Sequence, residues 1–188
     1  MAENQYLTLL RGINVGGNNI IKMTDLKSCF ENMGFTSVST YIQSGNVIFK
    51  SDEKDNTRLT NKIEQVLSDR FKYSSRIVLV SHQQLKKIIE QAPVGFGTEP
   101  DKYRYDALFL KESLTPDDVL GKIIPREGVD KVYPGPEVLY FSRLISGASQ
   151  SMLSKIISMP FYQNITIRNW NTTSKLLELM EKRPSISN

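Results

Sequence analysis

Nine residues after a short apolar run, Arg11-Gly12-Ile13-Asn14-Val15-Gly16-Gly17-Asn18-Asn19, combine one cation, several amides and three glycines. Glycine permits positive φ and lets main-chain N–H groups approach a ligand, while Arg11 and the asparagines supply charge and hydrogen bonds. A second polar cluster, Arg168-Asn169-Trp170-Asn171-Thr172, stands near the C-terminus. These residue types suit recognition of phosphate or carboxylate. Neither cluster is a known nucleotide fingerprint. Gly12-x-x-x-Gly16-Gly17 lacks the Gly-Lys-Ser/Thr ending of a P-loop and the Gly-x-Gly-x-x-Gly order of a dinucleotide loop.

Nucleophilic chemistry has little to work with. Cys29 is the sole cysteine and His82 the sole histidine, so there is no internal disulfide and no thiol cluster for zinc or iron–sulfur. Cys29 falls in step with Leu26, Phe30 and Met33 on a helical apolar face, the position of a buried structural thiol. Without a Ser–His or Cys–His pair, any catalysis would rest on electrostatic stabilisation by arginines and N–H groups. The sequence predicts no metal site and names no cofactor.

The clusters are placed by a pattern that occurs twice. Tyr6 to Leu10 reads as a strand, Thr24 as the cap of a helix ended by Gly34, and Val38–Gln43 and Val47–Lys50 as strands joined at Ser44-Gly45-Asn46. A helix from about Asp55 and the strand Arg76–Val80 complete βαββαβ. After the Pro/Gly-bearing stretch Pro93–Pro100 the order restarts. It runs through the strand Tyr105–Leu110, a helix opened by Thr115-Pro116, strands Val129–Tyr133 and Val138–Ser142 about Pro134-Gly135-Pro136, a helix from Ser149 and the strand Ile165–Ile167. Each half ends in a further helix, and Leu85/Leu176, Ile88/Leu179, Ile89/Met180 and Pro93/Pro184 keep one constant offset, as a tandem duplication would. The expected fold is α+β, two tandem ferredoxin-like (βαββαβ, α/β-plait) domains, each with an added C-terminal helix. The predicted boundaries are 1–93, a linker over 94–103, and 104–188.

This topology brings distant residues together. The end of the first strand lies beside the turn between the second and third strands, so Arg11, Gly12, Asn14, Gly16, Gly17 and Asn18 should meet Gln43, Ser44 and Asn46 at an N-terminal rim. In the second half, two strand-to-helix junctions share one edge and gather Arg143, Ser149, Arg168, Asn169, Asn171 and Thr172. The same residues have structural uses: glycines turn loops, Ser44-Gly45-Asn46 closes a hairpin, and Ser149 and Thr172 cap helices.

With 39% hydrophobic residues among 188, the chain can build a real core, and no apolar run approaches a bilayer span. We expect a cytoplasmic protein. The formal charge of +4 comes from scattered basic residues and makes only a weak nucleic-acid footprint. Three function classes follow. The first is an anionic small-molecule binder, with or without enzymatic activity. The second is a nucleic-acid-binding protein that stacks bases on Tyr6 and Phe49, although Ser44 to Phe49 does not carry the RNP1 pattern. The third is an interaction or regulatory protein, whose sign would be an exposed apolar patch at the motifs.

The strings LLRGINVGGNN, YIQSGNVIF and IRNWNTTSKL resemble an uncharacterised bacterial family known only as a domain of unknown function. The likeness covers most of the chain, with Leu9–Gly17, Tyr41–Phe49 and Arg168–Thr172 plus Lys175 and Leu176 as its specific stretches. It implies two consecutive α/β-plait domains and supplies no activity, cofactor or catalytic residue.

Overall fold

The computed structural model describes residues 4–182. In the first half, β1 (Asn4–Leu10), α1 (Met23–Asn32), β2 (Thr36–Tyr41), β3 (Asn46–Ser51), α2 (Asn56–Phe71), β4 (Ile77–Ser81) and α3 (His82–Glu90) follow one another. The second half holds β5 (Tyr103–Leu110), α4 (Pro116–Leu120), β6 (Asp130–Gly135), β7 (Val138–Leu144), α5 (Leu153–Ile156), β8 (Ile165–Asn169) and α6 (Trp170–Glu181), with 3-10 turns at Ile145–Gln150 and Pro160–Asn164. Two four-stranded antiparallel sheets result, in the orders β2-β3-β1-β4 and β6-β7-β5-β8. The fold is α+β, consistent with two tandem α/β domains.

Alternation along the central strands builds three layers of core. In β1, Tyr6 and Leu10 face α1 and α2 together with Phe30, Phe49, Leu59 and Ile63, whereas Leu7 and Leu9 face the other way. That second face is covered by the opposite half. Leu7, Leu9 and Val80 pack with Ala107, Phe109 and Tyr140 and with Leu85, Ile88, Leu176 and Met180 of α3 and α6. The third layer holds Leu108, Leu139 and Phe141 against Val119, Ile123 and Ile156. Tyr140 also donates its hydroxyl to the Ile88 carbonyl at 2.6 Å, and burial pushes that phenol up to about 12.

Five of the eight residues that repeat at a fixed offset lie in or against the core shared by the two halves. Leu85, Ile88, Leu176 and Met180 lie in the shared core, with Leu179 packed against it, while Pro184 lies outside the described residues. Local signals set many of the ends. Asp55 accepts from the Arg58 N–H at 3.0 Å as the cap of α2, and Ser81 and Gln84 form a reciprocal capping box on α3.

Several expectations shift. α1 starts at Met23 and not after a Thr24 cap, because Asn14 binds both the N–H and the carbonyl of Ile21 and fixes the chain's entry two residues earlier. Asn46 belongs to β3, and the tight turn before it holds Ile42 at φ 49°. β6 runs on to Gly135, so the turn is Pro136-Glu137, with Glu137 at φ 60°. The helix expected from Ser149 is instead a 3-10 turn followed by the four-residue α5. Here the chain is pressed onto its neighbour: a Cβ on Gly147 would come within 2.9 Å of Val129.

Candidate functional site

The N-terminal rim forms as the topology requires. Leu10 N–H donates to the Gly45 carbonyl at 2.8 Å, tying the end of β1 to the β2–β3 turn. Gly45 is obligatory there, since its φ is +75° and a Cβ would lie 2.7 Å from Ile13 Cδ1 and 2.8 Å from Leu10 Cβ. Asn14 donates to the carbonyls of Ile21 at 3.0 Å and Gln43 at 2.9 Å, joining loop to turn. Beyond it the loop closes as a small hairpin. Asn14 N–H donates to Asn19 O and Asn18 N–H to Val15 O, around Gly16 and Gly17, both at positive φ. Two consecutive positive φ values are those of the tightest hairpin turn. These glycines and amides therefore build the loop, and Gly12 supplies the carbonyl bound by Asn19 at 2.9 Å. Beside the loop is a shallow hollow of about 360 Å³, with Asn14, Lys22 and Gln43 in its lining.

Arg168 reaches this rim from the other half. Its Nε donates to Asn46 Oδ1 at 2.6 Å, and its Nη2 donates to the carbonyls of Leu10 at 2.7 Å and Ser44 at 2.8 Å. Nη1 donates to Ile167 O at 2.9 Å. Asn46 is aimed by its own amide, which donates to Tyr41 O at 2.9 Å and Ser44 Oγ at 3.0 Å. The arginine is only 8% exposed; burial pulls it from 12.5 down to about 10, with Tyr162 acting in the opposite sense, so it stays charged at neutral pH. It is a clamp between the halves, with every nitrogen occupied.

Arg11 is built differently. Its guanidinium carbon stacks 4.4 Å from the centre of the Tyr162 ring, and its Nε is buried with no hydrogen-bond partner. The ring face attracts the cation and offers its N–H groups no hydrogen-bond acceptor. Arg11 thus retains donors for a carboxylate or phosphate.

The C-terminal edge does not assemble as one site. Arg143 pairs across the sheet with Arg104, and Arg168 with Ala107. Positions 104 and 107 lie on opposite faces of β5, so the two arginines share an edge and point to opposite sides. Arg143 approaches Asp106 at 3.6 Å, and burial raises the Asp106 carboxyl, with Arg143 and then Arg104 opposing. Ser149 sits exposed in the 3-10 turn and starts no α-helix. Asn169, not Thr172, caps α6: its Oδ1 accepts from Asn171 N–H at 3.0 Å and its Nδ2 donates to Tyr105 O at 3.2 Å. Asn171 is exposed and Thr172 half-buried in the first turn.

Sequence reasoning missed Tyr162 and Asp130. Asp130 organises the chain after β7, accepting from Ser151 Oγ at 2.6 Å and Met152 N–H at 2.7 Å. Tyr162 carried no local signal, because its partner lies in the other half. Among the described residues no group of three or more His, Cys, Asp or Glu is placed to hold a metal, and no helix is long and apolar enough to cross a membrane. Cys29 is buried, with its thiol pushed up by that burial.

Comparison with known proteins identifies this architecture. The family described as Protein of unknown function (DUF1697) matches residues 3–140. The chain belongs to that family. The DUF1697 match spans the rim and ends inside β7, leaving Arg143 and Arg168 beyond it. The chain is also similar to the solved structure of a conserved bacterial protein, SP0830 from Streptococcus pneumoniae. The two share 29% identity over 96% of this chain and 100% of that one, with a TM-score of 0.84. No curated protein matches. Family membership assigns no function.

Proposed function

We propose that this protein binds a small anion-bearing ligand, a phosphate or a carboxylate, at Arg11 where the two halves meet. Each half is read as a ferredoxin-like plait, residues 1–93 and 104–188, that supplies one side of the junction. The observation that carries the reading is half-buried Arg11, its guanidinium held over the Tyr162 ring with its buried Nε unpartnered. A buried donor left unsatisfied costs free energy, and an anion would recover it. Arg168 supports the junction without touching the ligand, because its donors are spent on main-chain carbonyls and Asn46. The nucleic-acid reading lacks its platform: Tyr6 and Phe49 lie under the helices, and the opposite sheet face is packed against the second half.

Thermal unfolding against phosphate, sugar phosphates, nucleotides and dicarboxylates tests this. A ligand at about a hundred times its dissociation constant adds roughly 2.7 kcal/mol. One anion class should raise the melting temperature of wild type and leave Arg11→Met unmoved. If no anion raises it, or the variant responds as wild type does, the reading fails. Attention then passes to a protein partner at the rim, where Val15, Ile20 and Ile42 are 65%, 76% and 47% exposed.

A further inference from the structure

A cavity of about 550 Å³ lies between the halves, lined by neither Arg11 nor Arg168. Four consecutive β4 residues, Ile77 to Val80, form one wall, and the chain from Phe109 to Pro116 forms another. Consecutive strand residues line one cavity when the strand presents its edge, and β4 is the edge strand of its sheet. The ladder fixes which main-chain groups look outward. Arg11 N–H donates to Arg76 O, so with the β1–β4 register Val78 and Val80 pair with β1, while Ile77, Leu79 and Ser81 turn their N–H and C=O groups away from it.

Two of the three outward N–H groups are closed within the chain. Ile77 N–H donates to Glu64 Oε1 at 2.9 Å and Ser81 N–H to Gln84 Oε1 at 2.8 Å. Between them, Leu79 turns both its N–H and its C=O to the cavity. The charges there are also asymmetric. Lys111 is spent on Glu64 at 2.7 Å, whereas Glu112 and Glu137 are exposed at the mouth. Glu112 accepts from Thr57 and Glu137 from Gln84, and no cation among the described residues lies within ion-pair distance of either.

We propose that this cavity is a peptide site. An extended segment adds to β4 by exchanging a pair of main-chain hydrogen bonds with Leu79, and it carries a basic side chain toward Glu112 and Glu137. Strand addition supplies affinity through the backbone and specificity through side chains that alternate into the groove. Leu79, Ile88, Phe109 and Leu114 give those side chains an apolar wall. A second copy of this chain is disfavoured as the occupant, because pairing two β4 edges would bring the acidic mouths together.

The test uses the full chain labelled with ¹⁵N and pools of acetylated, amidated pentapeptides. Each pool carries one lysine or one glutamate at varied position. The lysine pool should shift the Leu79 amide signal and slow its exchange, binding at least ten-fold more tightly than the glutamate pool. Leu79→Pro deletes that one N–H and leaves the β1 ladder its donors, so it should abolish binding. Should that variant not fold, wild type offered the lysine pool with N-methylated backbones should show no binding. The double change Glu112→Gln, Glu137→Gln should remove the preference for lysine, and Arg11→Met should bind as wild type does, which separates this site from the anion site. Equal binding of the two pools, binding that survives Leu79→Pro or N-methylation, or a Leu79 amide untouched by every pool overturns the proposal. So does a dimer joined through β4.

Discussion

Arg168 and Arg11 enter one junction from opposite halves, and they differ in the supply of acceptors. Around Arg168 the chain converges three kinds of oxygen: the turn carbonyls, the Leu10 carbonyl and the Asn46 side chain. Around Arg11 it places the face of a tyrosine. Both are arginines at strand ends with asparagines close by in sequence, so residue type does not separate the clamp from the candidate binding group. Saturation does. A polar cluster whose members satisfy one another is architecture, and a donor left over is a candidate for a ligand.

The largest effect should come from removing the clamp. Arg168→Met strands Asn46 Oδ1 and the carbonyls of Leu10 and Ser44, and it should lower stability by about 3–4 kcal/mol in urea unfolding. Arg168→Lys should recover less than half, because an ammonium cannot reproduce the planar fork. Gly45→Ala tests the same region from the other side. A Cβ forced against Ile13 and Leu10 at positive φ should cost about 2–3 kcal/mol by the same measurement. Arg11→Met should cost less than about 1 kcal/mol, the value of a cation–π contact, while erasing the anion response. A loss as large as that of Arg168→Met would erase the contrast between the two arginines.

Two smaller effects sharpen it. Ile42 holds φ 49° although it is β-branched and 47% exposed. Ile42→Asn should gain about 0.5–1 kcal/mol of thermal stability, since asparagine tolerates this conformation. Asp106 lies on the face away from the clamp, its carboxyl raised by burial. A carboxyl raised in the folded state favours folding fully below its ordinary value of 3.8, and that contribution is lost as pH rises through the raised value. Stability followed over that window should fall for wild type relative to Asp106→Asn.

Much of this was legible in the chain. The apolar run Tyr6–Leu10 announces a strand, Asp55 announces a helix start, and the repeated order of elements announces two sheets. The meeting of Asn14 with Gln43 followed from topology alone. The sides taken by Arg143 and Arg168 were hidden because they depend on register. Only the registers of β7 and β8 against β5, which pair Arg143 with Arg104 and Arg168 with Ala107, place the two arginines on opposite faces. Arg168's acceptors were equally hidden, since main-chain carbonyls carry no sequence signature. The helical layer of the second half departed furthest, where close approach at Gly147 and the bonds to Asp130 override helical periodicity.

Arg168 meets Leu10 across 158 residues and Asn46 across 122. The backbone pairs of the first sheet span far less, so the clamp can close only once β8 is in place. As the chain leaves the ribosome, the carbonyls at the rim stay hydrated until β8 arrives. Contacts that form after the rate-limiting step slow unfolding and leave the folding rate alone. A clamp closed that late is a latch in time as well as in space: it bears on how long the two halves, once joined, remain so.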